Sequence, residues 1–140
     1  MPPPEEELEK PTGGTDILRA ADAGRHEEAI QSLQEDPQRI QLRDRDGLTC
    51  LHHAARKGHS ALAKELLRYR ADLKAQDQWG MTPLHRAVAK GHLPVVELLL
   101  TARAEIRAKN TRGLTAFDFA RAHHDGKMTQ FLSSFSSPEA

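Results

Sequence analysis

Cys50, His52 and His53 stand within four residues of one another, and a cysteine beside two histidines is a ligand set that zinc accepts. No second pair follows at the spacing of a structural site, and His123-His124 is isolated in the same way. His85, 33 residues after His52, invites a general acid–base reading. The rest of a catalytic constellation is missing: there is no Gly-rich phosphate loop, no Gly-x-Ser-x-Gly elbow and no His-Glu-x-x-His. The residues therefore predict no catalytic group, no metal and no cofactor. Ser137-Pro138 is either a proline-directed phosphorylation site or a frayed polar terminus.

The spacing of the histidines has another origin. "GLTCLHHAARKGH" at 47–59 returns as "GMTPLHRAVAKGH" at 80–92 and, in worn form, as "GLTAFDFARAHHD" at 113–125. Gly47, Gly80 and Gly113 keep a step of 33, as do Asp44, Asp77 and Asn110. Ala20-Ala21 and Gly24 match Ala54-Ala55 and Gly58 at a step of 34, which places one extra residue near Asp36-Pro37. Each unit reads as a turn with Asp or Asn then Gly, a short helix, a break at Gly-His, and a second helix with paired leucines. One such unit cannot bury its apolar stripe alone; stacked copies make the stripes into a continuous core.

The strings "DGLTCLHHAARKGHSALAKELLRYRADLKAQD" and "WGMTPLHRAVAKGHLPVVELLLTARAEIRAKN" resemble ankyrin repeats, with "TPLH" intact once. The resemblance implies an all-α solenoid of about four helix–turn–helix units joined by hairpin-like loops. The expected units are 15–44, 45–77, 78–110 and 111–134, in a domain over 15–135 with a flexible end at 136–140. It also implies that His52 and His85 bond the neighbouring turn while Thr49 and Thr82 cap the same helices. His59 and His92 have a matching structural role in the inter-helix turn. Pro83 fits the first helical turn, and Cys50 is a tolerated replacement at its place. Arg70 and Arg103 replace a glycine that the family holds in a left-handed conformation. Lys74 and Arg107 stand where an asparagine is hydroxylated in some members, which argues against that modification here.

Zero net charge hides an asymmetry: residues 1–36 carry ten acids and three bases, and residues 37–140 ten acids and seventeen bases. Residues 1–14 lack apolar periodicity and are expected to form a disordered acidic tail. Thr15 or Asp16 is expected to cap the first helix. The "EEELE" of the tail either competes weakly for a basic groove or stays in solvent. One cysteine, no signal-peptide pattern and no long apolar run point to an intracellular chain, cytoplasmic or nuclear. Polar second helices at both ends (Glu27, Glu28, Gln31, Gln34; Lys127, Thr129, Gln130, Ser133) predict a monomer.

Ankyrin repeats bind partners through hairpin tips and the exposed face of the first helix. Carried over by position, that surface takes Arg43, Arg45, Asp46, Leu48, Arg56 and Lys57 in the second unit. In the third it takes Gln76, Gln78, Trp79, Met81, Ala89 and Lys90; in the fourth, Lys109, Thr111, Arg112, Leu114, Ala122 and His123. It holds seven Lys or Arg against one Asp. Trp79, the only tryptophan, either anchors a partner beside Met81 or packs on Arg45 or Arg112. The expected function is a non-catalytic adaptor or regulator whose groove takes an acidic, partly apolar segment of another protein. The alternatives are nucleic-acid binding by the same groove, or capping of a cytoskeletal or scaffold protein.

Overall fold

The computed structural model describes residues 13–136, so the acidic segment 1–12 and the Ser137-Pro138 pair lie outside the described residues. Among the described residues eight α-helices follow one another in antiparallel pairs: α1 (Gly13–Ala23) with α2 (His26–Glu35), α3 (Cys50–Lys57) with α4 (Ser60–Arg68), α5 (Pro83–Ala89) with α6 (Leu93–Thr101), and α7 (Ala116–Ala122) with α8 (Gly126–Ser136). The extra residue of the first unit is taken up by a 3-10 turn, Pro37–Gln41, which Asp36 opens by accepting a bond from the Gln38 N–H at 3.1 Å. Among the described residues there is no strand, and no helix is long and apolar enough to cross a membrane.

α1 starts earlier than the repeat register predicts and takes Thr15 and Asp16 into its first turn, so neither is the residue before the helix. Leu18 explains the difference. It stands where His52 and His85 stand in the next two units and has no acceptor to return to a capping threonine. Gly14, in the place of the buried Leu48 and Met81, has no side chain to anchor an extended entry.

Leucine, valine and alanine fill the core. Leu66, Leu99 and Leu132, each 33 residues apart, are fully buried, and Ala55, Ala63 and Ala87 let the helices approach closely. In the first unit the place of Leu66 belongs to Ser32, whose hydroxyl accepts a 2.8 Å bond from Arg39.

The inter-helix turns show why glycine recurs. Gly24, Gly58 and Gly91 all have φ near +77°, between 76° and 78°. His59 packs its ring on Gly24 and donates from Nε2 to the Asp22 carbonyl at 3.2 Å; His92 covers Gly58 and reaches the Arg56 carbonyl at 3.1 Å. A Cβ on Gly58 would lie 2.6 Å from His92 Nδ1, whereas one on Gly91 would meet only Asp125, at 3.9 Å. His124 takes the same turn position in the fourth unit, at φ 55°. Gly58→Ala is thus expected to cost more than Gly91→Ala. Both incur about 1 kcal/mol of left-handed strain, and Gly58→Ala also displaces a hydrogen bond of about 1 kcal/mol. Urea midpoints of the two variants measure the difference.

Arg70 and Arg103 hold φ of 68° and 77°, as their replacement of glycine predicted. Restoring glycine at either place is expected to leave stability unchanged or to raise it, because the strain of a Cβ in this region is removed. A lowered thermal midpoint for Arg103→Gly would contradict this.

Candidate functional site: the hairpin face and the first helices

Each hairpin is built on one side chain. Asp44 Oδ1 accepts from the N–H groups of Asp46 and Leu48 at 3.0 and 2.9 Å. Asp77 does so for Trp79 and Met81, both at 2.9 Å, and Asn110 for Arg112 and Leu114 at 2.8 and 3.0 Å. The residue nine positions on answers the second oxygen. His53 Nε2 lies 2.9 Å from Asp44 Oδ2, and Arg86 Nε donates to Asp77 Oδ2 at 3.0 Å. In the fourth unit the pair is Asn110 with Phe119: the charge and its counter-charge are lost together, and Phe119 packs edge-on against His85.

Adjacent hairpins are sewn together. Gln78 N–H donates to the Asp46 carbonyl at 2.9 Å and Thr111 N–H to that of Trp79 at 3.1 Å. Arg43 reaches the Gln76 carbonyl at 2.7 Å, and Gln76 repeats the move onto Lys109 at 3.3 Å.

His52 and His85 work below the hairpins. Thr49 N–H points at His52 Nδ1, 3.1 Å away, which makes Nδ1 the acceptor; Nε2–H therefore donates to the Met81 carbonyl at 2.8 Å. His85 accepts from Thr82 N–H at 3.0 Å and faces the carbonyls of Ala108 and Leu114 at 3.0 and 3.1 Å. Burial pushes His52 down to about 4 and lowers His85 in the same direction. Both nitrogens of each ring are engaged, which leaves none for a metal or for proton transfer. The fourth unit has Asp118 at this place. It accepts from Thr115 N–H at 2.8 Å and reaches no further hairpin, so an acceptor without a donor is sufficient there. That bond is the main reason its carboxyl sits below the usual range. Cys50 is fully buried, and burial pushes its thiol up to about 12, leaving it unreactive.

Of the expected contact residues, Arg43, Arg45, Lys57, Gln76, Gln78, Trp79, Lys90, Lys109, Arg112 and His123 are exposed. Asp46 and Arg56 are half-buried. Leu48 and Met81 are not on the surface; each is 6% exposed. The hairpin turns them inward beneath the tip, and Met81 Sδ receives a bond from Asn110 Nδ2 at 3.3 Å. Ala89 and Leu114 are half-buried; Thr111 and Ala122 are exposed. Trp79 is 47% exposed, and the Arg86 guanidinium lies over its ring at 5.4 Å. Its cationic neighbour is thus the arginine of its own unit, rather than Arg45 or Arg112.

The face of the first helices also holds an internal ion cluster that the repeat pattern did not suggest. Asp22, at the place Arg56 takes in the second unit, accepts from Arg56 at 2.7 Å, has Lys57 at 3.5 Å and lies 3.2 Å from His53 Nδ1. Burial works to raise its carboxyl, but Arg56, His53 and Lys57 together hold it below the usual range. For Asp44 burial is likewise the largest single influence, outweighed by bonds from Leu48, His53 and Asp46. Arg45, Lys90, Lys109 and Arg112 form no ion pair among the described residues, so their charge faces outward.

Beside the cluster lies a cleft of about 740 Å³ between α1, the 42–45 loop and His53. Its first-unit residues escaped the sequence reading because the surface was carried over only from the second unit onward.

A family model for ankyrin repeats, described as three copies, matches residues 17–133. A search of curated proteins finds no significant match.

Proposed function

The chain belongs to the ankyrin-repeat family, whose repeats are in general protein–protein interaction modules, and from that premise we propose a small adaptor or regulator without catalytic activity. Its basic concave face takes an acidic segment that carries an apolar anchor. One observation supports this above the others: Trp79 stands nearly half exposed on a hairpin tip, backed by Arg86, on a face where Arg45, Lys90, Lys109 and Arg112 form no ion pair among the described residues. An aromatic ring on a rigid mount loses little entropy when covered. Charges around it speed encounter, while the ring governs release. The polar, exposed second helix of the first unit favours a monomer.

Affinity capture from cell extract tests this reading. The native chain and a Trp79→Ala, Arg45→Glu variant serve as baits, with heparin as competitor. Polypeptides held by the native bait and lost from the variant support it. Retention that a nuclease abolishes supports nucleic-acid binding instead, whereas displacement by heparin, a polyanion, shows only that the contact is with the basic face.

A further inference from the structure

We propose that the cleft beside α1 is the docking site of this chain's own residues 5–9, Glu-Glu-Glu-Leu-Glu. The inference rests on the reading above, that the basic face accepts acidic, partly apolar segments, and it names the first occupant of that face.

The cleft has the matching chemistry. Leu42 is 37% exposed and Leu18 lies beside it, while Arg19, Arg25, Arg43 and Arg45 stand around them. The two carboxylates that also line it are already engaged: Asp22 by Arg56, Lys57 and His53, Asp44 by His53 and two backbone N–H groups. Arg43 bonds only neutral carbonyls, and Arg19 and Arg45 form no ion pair among the described residues, so their charges remain uncompensated.

Repeat register points to the same occupant. Arg19 occupies the place of His53 and Arg86, and each of those meets a carboxylate nine residues upstream, Asp44 or Asp77. Nine residues upstream of Arg19 is Lys10, with Glu9 next to it. Glu9 is the nearest carboxylate to that register, and Glu5, Glu6 and Glu7 are available to Arg43 and Arg45, Arg25 being already paired with Glu28 at 3.3 Å. Leu8 then covers Leu42, beside the buried Leu18.

The reach suffices. Leu8 precedes Gly13 by five residues, which extend up to about 17 Å. Leu18 follows Gly13 by five residues of helix, a rise of about 7.5 Å. The segment can therefore double back along α1, and tethering holds it near the cleft at an effective concentration on the order of millimolar.

A nitroxide on Lys10→Cys tests the contact in the full chain. Cys50 is buried with its thiol raised, so the label goes to the introduced cysteine. Proximity in sequence broadens the start of α1 in any case, so the amide signals of Leu42–Arg45 are decisive. They are expected to broaden at about 0.1 M salt and to recover at about 1 M, where the Debye length falls from about 10 to 3 Å. They should also recover when the four glutamates become Gln and Leu8 becomes Ser. An Arg19→Glu, Arg45→Glu variant should lose the broadening, and glutamate-to-lysine changes in the segment should restore it. Equal 42–45 signals with the native and the Gln/Ser segments overturn the proposal. The measurement involves no partner, so that result would leave the Trp79 reading intact; conversely, failed capture would leave this contact standing.

Discussion

Replacing Leu99 by alanine is expected to lower the unfolding free energy by roughly 2–5 kcal/mol, the range for removing a buried leucine that leaves a cavity. Leu99 is fully buried on α6, in line with Leu66 on α4 and Leu132 on α8. A gap at this place weakens both interfaces of the third unit at once, since each repeat is stabilised by its neighbours. Against a typical margin of about 5–15 kcal/mol the loss is large. Leu98, one residue away, is only half-buried, and its alanine variant should lose less. Urea denaturation compares the two; equal midpoints would contradict the assigned register.

Acidification should destabilise the fold through its capping histidines. The folded chain keeps His52 neutral, with a value of about 4, while an unfolded histidine takes up a proton near 6.5. The stability this provides is complete above about 6.5 and drains away as pH falls toward about 4. Its size is about 3 kcal/mol, because every tenfold difference in proton affinity between the folded and unfolded chain is worth about 1.36 kcal/mol. His85 acts in the same direction. Asp22 and Asp44, whose folded values are depressed, contribute stability that is present above the ordinary 3.8 and lost as pH falls through those lower values. Thermal midpoints at about pH 7 and pH 4.5 should differ clearly, and His52→Gln, which can accept and donate without titrating, should flatten the profile. A native midpoint unchanged over that interval would contradict the neutral Nε2–H assignment.

Much of this architecture was legible because the sequence repeats its physics. A step of 33 located the helices and the buried leucines, and the resemblance to ankyrin repeats implied the left-handed arginines 70 and 103 and the histidine caps. What the step concealed lies in the differences between neighbours. The hairpin carries Leu48 and Met81 inward although the family surface includes their positions, because alternation at a tight tip depends on local backbone geometry. The pairing of Asp44 with His53, of Asp77 with Arg86 and of Asn110 with Phe119 was present at a fixed offset of nine, visible to anyone asking what balances each turn carboxylate. Asp22 joins residues 31 to 35 positions away, and an ion cluster across two units has no local signature. The early start of α1 follows from Leu18 and Gly14, whose departures from the repeat gain meaning only beside the bonds of His52.

The central claim, that Trp79 anchors a partner segment on a basic face, is tested most directly by the affinity of a captured partner for the native chain and for Trp79→Ala. The Trp79 side chain packs in no core, so the variant should retain its unfolding midpoint. The account predicts a loss of about 2 kcal/mol or more, some thirtyfold in affinity, mostly through faster dissociation. Equal affinity of the native chain and a fully folded Trp79→Ala variant would contradict it.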